Sequence, residues 1–185
     1  MLRFQQGDRR AFEELILRNT AKIHGLIYRF LGGPEHVEDL TQEVFLRVYR
    51  TVDRYQPTAK FTTWLYRIAA NLAFNVLRAR RKGRITLLEP AGFDEADSFH
   101  RDVRDDKNPL PHERLDTAEL RDKIAQAVDA LPENQKVAII LNKYEQKSYE
   151  EISAVLGCTT MAVKSLLSRA RANLREALVR YLRPE

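Results

Sequence analysis

Residues 60–82 read KFTTWLYRIAANLAFNVLRARRK. Phe61, Trp64, Leu65, Ile68, Ala69, Leu72, Val76 and Leu77 recur at helical spacing and define one apolar face. Thr62 and Thr63 are placed to cap its start. Arg67, Asn71 and Asn75 lie on the other face, and Arg78, Arg80, Arg81 and Lys82 form a basic end. The helix therefore combines a core face, a face of amide side chains and a positive tail. That combination suits a protein that packs on one side and holds nucleic acid on the other. An amphipathic core helix with a solvated end produces the same pattern, so the stretch alone leaves both readings open.

Composition narrows the class. The chain has 185 residues, 44% hydrophobic and 31% charged, a globular profile with room for one ordinary domain or two small ones. The net charge is +5 and the pI about 9.4, which favours a polyanionic partner. Residues 1–82 carry 15 Lys+Arg against 8 Asp+Glu, whereas 83–112 carry 4 against 7 and 113–185 carry 12 against 11. An acidic stretch thus separates a basic block from a mixed one. A single cysteine, Cys158, excludes an internal disulfide and fits a reducing cytoplasm; its turn position suits a small packed residue. No apolar run is long enough to span a bilayer, and no signal-peptide pattern opens the chain. Period-two alternation is absent, so the expected fold is all-α.

Upstream, Phe12, Leu15, Ile16, Ile23, Leu26, Ile27 and Phe30 keep a helical stripe behind Asp8, a plausible N-cap. It reads as one helix bent near Asn19–Thr20, or as two. Gly32, Gly33 and Pro34 end it. Residues 35–52 form the next helix, with Val37, Leu40, Val44, Phe45, Val48 and Val52 as its buried stripe. Acids crowd its first half and Arg47 and Arg50 its second, an order that complements the helix dipole. The acidic face reads either as a solvated surface or as a docking face for an arginine-bearing partner helix. Residues 53–59 are a loop broken at Pro57.

Residues 83–112 lack apolar periodicity, and their acids gather between Asp94 and Asp106. They read as a flexible acidic linker. Downstream, Leu115, Leu120, Ile124, Ala127, Val128 and Leu131 resume a helix, and Val137, Ala138, Ile140, Leu141 and Tyr144 mark another behind Pro132. Ser148 and Glu151 spell a capping box, and Gly157 closes the short helix that carries Ile152, Val155 and Leu156. Ala154 is assigned to its core. Thr159 or Thr160 then caps a long helix. A short capped helix, a tight glycine turn and a second helix make a helix-turn-helix, whose second helix reaches base edges from near its start. Here those positions are Thr160, Met161, Lys164, Ser165, Ser168 and Arg169. The overall expectation is two small helical domains joined by the linker, the second with the helix-turn-helix.

GDRRAFEEL at 7–15, EDLTQEVFLRVYR at 38–50, the stretch at 61–82, LPENQKVAIILNKYEQKSYEEISAVLG at 131–157 and AVKSLLSRARANLRE at 162–176, in this order, resemble the small extracytoplasmic-function (ECF) sigma factors of the sigma-70 family. The resemblance implies domains at 1–82 (region 2) and 113–185 (region 4). It implies docking on the polymerase clamp helices through Asp39, Leu40, Gln42, Glu43, Phe45 and Leu46. It implies opening of the minus-ten promoter element by the 53–59 loop with Lys60, Phe61, Thr62, Trp64, Arg67, Asn71, Asn75, Arg78 and Arg81. Trp64 also falls on the apolar stripe, where a core role competes with base stacking. Reading of the minus-thirty-five element falls to Thr160, Lys164, Ser165, Ser168 and Arg169, with Arg171 and Arg175 on phosphate. The chain departs from the resemblance at Leu166, where relatives often carry a basic residue, and at Ser168, where many carry an aromatic or histidine.

The resemblance further implies core RNA polymerase, promoter DNA and an anti-sigma factor as partners, a cytoplasmic location, and neither cofactor, metal nor catalytic residue. Two other classes compete. A free-standing helix-turn-helix regulator would bind duplex without polymerase. A metal-dependent nuclease or hydrolase would draw on Glu35, His36, Glu38, Asp39 and Glu43, but no metal-ligand spacing is present and the four histidines are scattered.

Overall fold

The computed structural model describes residues 1–81 and 111–182. The described chain is all-helical: α1 (Leu2–Gln5), α2 (Arg9–Leu31), α3 (Val37–Arg50), a 3-10 turn (Val52–Arg54), α4 (Phe61–Arg81), α5 (Pro111–Asp129), α6 (Glu133–Lys143), α7 (Tyr149–Leu156) and α8 (Thr160–Leu182). Most of the expected linker lies outside the described residues; its last two positions, 111 and 112, open α5 instead, with proline in the first turn, where its missing N–H costs nothing.

Local chemistry sets the boundaries. Asp8 Oδ1 accepts the Ala11 N–H at 3.1 Å and caps α2, while Arg3 holds the other carboxylate oxygen at 2.7 Å. Of the two readings of the stretch around Asn19–Thr20, one helix rather than two is found. Asn19 Nδ2 donates to Leu15 C=O and Thr20 Oγ1 to Ile16 C=O, so both polar side chains turn back onto their own helix and α2 runs unbroken. Gly32 ends α2 at φ +72°, and α3 starts at Val37, the first residue of its apolar stripe and two residues after the expected start at Glu35. Thr62 and Thr63 do not precede α4; the Thr63 N–H already donates to Lys60 C=O, which puts both threonines inside the first turn.

The first bundle buries Ile23, Leu26, Ile27 and Phe30 of α2 against Leu40, Val44 and Val48 of α3 and Leu65, Leu72 and Phe74 of α4. Phe30 and Phe74 meet ring to ring at 6.0 Å. The second packs Val137, Ile140 and Leu141 against Ile152, Val155, Val163, Leu167 and Ala170. Each of these Val, Leu and Ile side chains contributes about 1.5–3 kcal/mol on burial. Ala154 is exposed rather than core, because it sits on the outer side of the short helix.

The two bundles share one continuous buried cluster. α4 is the element between them. Its Ala69, Ala70 and Ala73 have no exposure, and these small side chains let helices approach it on more than one side. α7 packs on α4.

Candidate nucleic-acid interface

α4 presents Arg67, Asn71 and Asn75 as an exposed row, each four residues from the last. Arg78 lies beside that row, half-exposed, and reaches Glu133 at 3.9 Å. Arg81 ends α4, and its side chain lies outside the described residues. At the other end, residues 56–60 are exposed throughout. Beneath them an aromatic knot forms: the Tyr55 ring lies 5.0 Å from Trp64 and 6.1 Å from Phe61, which are 5.9 Å from each other. Trp64 is half-buried in this knot, with Phe61 and Thr62 also half-buried. Burial raises the Tyr55 hydroxyl above the usual tyrosine range.

Two residues that periodicity did not single out join α4 to the second bundle. Tyr66 is 3% exposed, and its hydroxyl donates to Glu145. Burial first, then this carboxylate, pushes its pKa well up. Lys147 stands 5.2 Å over the Tyr66 ring. Glu151 accepts from Lys60 at 2.8 Å, and its carboxyl is held below the usual range by Lys60 and then by the Ser148 N–H. Neither link could be found from sequence spacing: Tyr66 lies on the flank of the apolar stripe with partners about 80 residues away, and the capping box that marks Glu151 says nothing of Lys60, about 90 residues upstream.

On α3, Asp39, Gln42 and Leu46 are exposed, and Leu46 keeps 47% of its surface. Glu43 is half-buried and paired with Arg47 at 2.8 Å. Leu40 at 1% and Phe45 at 7% exposure lie in the core. Both side chains pack inward, as their place on the buried stripe requires. The apolar spacing that marked them is core spacing.

The capping box of α7 forms as its sequence requires: Ser148 Oγ accepts the Glu151 N–H at 3.2 Å, and Glu151 Oε2 accepts the Ser148 N–H at 3.1 Å. Gly157, at φ +62°, turns the chain into α8. Thr159 Oγ1 accepts the Ala162 N–H, so Thr159 is the cap. Val163, Leu167 and Ala170 point inward, which turns Thr160, Met161, Lys164, Ser165, Ser168 and Arg169 outward. Met161 is 73% exposed. Arg175 is exposed on the same helix, and Arg171 reaches Asn142 at 3.4 Å. Cys158 packs at the edge of the core, half-buried.

Among the described residues no group of three or more His, Cys, Asp or Glu side chains could hold a metal ion. No helix among them is long and apolar enough to cross a membrane.

Comparison with known proteins agrees with this architecture. Residues 15–83 match the family described as Sigma-70 region 2, and residues 121–174 match Sigma-70, region 4. The chain is 36% identical over 184 residues to the RNA polymerase sigma-H factor of Pseudomonas aeruginosa, covering 98% of this chain and 93% of that one. It is 35% identical over 169 residues to the ECF RNA polymerase sigma-E factor of Escherichia coli K12, covering 91% and 87%. Among solved structures it resembles CnrH in complex with the cytosolic domain of CnrY, at TM-score 0.62 and 26% identity over 94% of this chain and 91% of that one. It shares the fold of RpoE from Bartonella quintana, solved with the anti-sigma factor NepR, at TM-score 0.63 and 22% identity over 91% and 96%.

Proposed function

The chain belongs to the ECF group of the sigma-70 family, transcription initiation factors rather than enzymes, and from that premise we propose the work its surfaces do. It binds core RNA polymerase in the cytoplasm, directs it to a promoter and opens the minus-ten element. The observation that carries this reading is the pairing, in one chain, of an exposed Arg67–Asn71–Asn75 row beside an aromatic knot with an outward-facing helix-turn-helix helix.

Each surface then has a role. Asp39, Gln42, Glu43 and Leu46 dock on polymerase, with Leu40 and Phe45 as the support behind them. Unstacking duplex DNA costs a few kcal/mol per base step. The 53–59 loop and Lys60, Phe61, Thr62, Trp64, Arg67, Asn71, Asn75, Arg78 and Arg81 offset that cost through stacking, amide hydrogen bonds and backbone cations. Thr160, Lys164, Ser165, Ser168 and Arg169 enter the major groove of the minus-thirty-five element. Arg171 and Arg175 lie on phosphate. The functional units are residues 1–82 and 113–185, tethered by 83–112.

An anti-sigma factor holds the chain inactive. Support comes from CnrH, more than a quarter identical, which was solved with the cytosolic domain of CnrY bound.

The test is run-off transcription by purified core polymerase, with and without this protein, on a library of promoter fragments. Specific products that require the protein are the expected result. Failure to bind core polymerase, with duplex binding retained, overturns the reading in favour of a free-standing helix-turn-helix regulator.

A further inference from the structure

Residues 56–59, the tip of the 53–59 loop, are exposed, and the one backbone bond within that tip runs from the Thr58 N–H to Gln56 C=O at 2.8 Å. Its position is therefore set by its root, the 3-10 turn Val52–Arg54 and Tyr55. Two features fix that root. One is the Tyr55 ring, 9% exposed against Trp64 and Phe61. The other comes from α1, about 50 residues upstream. Gln5 Nε2 donates to Val52 C=O at 2.7 Å and to Tyr55 C=O at 2.8 Å. One amide nitrogen thus uses both its hydrogens to clasp the two ends of the turn.

Gln5 is itself held. Its neighbour Phe4 is 8% exposed, stacked on Phe12 with centroids 4.6 Å apart and lying 5.5 Å from the Tyr49 ring. Phe12 also meets Tyr49 edge-on at 5.5 Å. Through these rings α1 is anchored to α2 and to α3, the helix that leads into the turn. The sequence contains no signal for this arrangement, because α1 is one turn long and the clasp spans about 50 residues.

We propose that Gln5 is a positioning residue for promoter opening: by clasping Val52 and Tyr55 it holds the loop root in the geometry that receives the extruded strand. The proposal rests on the minus-ten role given to the loop above. A surface fixed before binding loses less conformational freedom when DNA arrives. The requirement is chemically narrow. Two N–H donors must converge from one nitrogen at the end of a three-bond stem, which glutamine supplies. Glutamate has the same shape but no donor, and at neutral pH it sets a carboxylate against two carbonyl oxygens.

The test compares the full-length wild type with Gln5→Glu and Gln5→Met, both of which keep the stem. The chain has one tryptophan, so acrylamide quenching of Trp64 reports on the knot directly. Permanganate reactivity of the minus-ten region in holoenzyme complexes reports opening, on a promoter chosen by wild-type run-off. Core affinity is measured separately. The expected result is more quenching in both variants, open complexes reduced about tenfold in Gln5→Glu, and core affinity within about twofold of wild type. Wild-type opening by Gln5→Glu, or parallel loss of core affinity and opening, overturns the positioning role. A wild-type holoenzyme that opens no promoter overturns the loop assignment instead. Quenching then still decides the clasp, and unchanged Trp64 in both variants refutes it.

Discussion

Lys60 Nζ lies 2.8 Å from Glu151 Oε1, so a cation proposed for the minus-ten strand is held by the first helix of the helix-turn-helix. Six residues further on, within α4, Tyr66 makes the second such link through Glu145. The two differ in weight. Lys60 is 74% exposed and its pair is worth at most about 1 kcal/mol, screened further by salt. Tyr66 is buried, and removing its hydroxyl leaves a carboxylate at the bundle boundary without its donor. Tyr66→Phe is therefore expected to separate the bundles more than Lys60→Ala does. Small-angle scattering checks this: the radius of gyration should rise in Tyr66→Phe, and an unchanged profile would count against the link.

Two carboxyls of the helix-turn-helix are held low, Glu150 first by the Ser148 side chain and Glu151, the one that joins the bundles, by Lys60 and then by the Ser148 N–H. The unfolded chain therefore takes up the Glu151 proton at a higher pH than the folded one. The stabilisation is complete above the ordinary glutamate range and is lost as pH falls through the lowered value. Thermal unfolding should show stability declining on acidification in that window, and Glu151→Gln should flatten the decline. An identical slope in the variant would remove Glu151 as a source of it.

Gly32 has a double constraint. Its φ of +72° is costly for any side chain, by about 1 kcal/mol. A Cβ there would also lie 2.9 Å from Asp129 Cγ, and closer still to Oδ2, on the other bundle. Asp129 has little freedom to yield, since it holds the buried Lys136 at 2.9 Å. Gly32→Ala is expected to lower stability by more than the backbone term alone. Denaturant unfolding of Gly32→Ala beside Gly157→Ala, whose Cβ meets nothing within 4 Å, separates the two contributions.

What the sequence made legible follows from the range of each interaction. Asp8, the Ser148–Glu151 box and Gly157 are caps, satisfied within a few residues, and they could be read from local spacing. The apolar stripes were legible for the same reason. They set Leu40 on the buried stripe and left Leu46 off it, and packing bears out that division, with Leu40 buried and Leu46 exposed. Tyr66 and Gln5 were invisible because their partners depend on how distant helices meet.

The exposed row on α4 allows function to be separated from stability. Asn71 is exposed, while its neighbour Leu72 has no exposure. Asn71→Ala should leave stability within about 0.5 kcal/mol of wild type and reduce promoter opening. Leu72→Ala should cost about 2–5 kcal/mol and lower every activity together. Permanganate footprinting alongside thermal unfolding checks the contrast, and wild-type opening by Asn71→Ala would remove that residue from the strand contact.

The same logic divides α8. Arg175 is exposed and carries no ion pair among the described residues, so its charge is available to a phosphate. Ser165 is exposed near the start of the helix, where base edges are reached. A phosphate contact releases counterions, whereas a base contact does not. Arg175→Ala should therefore weaken duplex binding on all sequences alike and reduce the log-log salt slope by about 0.9. Ser165→Ala should keep the slope and lose about 1 kcal/mol of preference at one base position. Salt titrations of holoenzyme on duplexes varied across the minus-thirty-five element distinguish the two. A preference change in Arg175→Ala, or a slope change in Ser165→Ala, would mean that α8 sits in the groove at a different register from the one proposed.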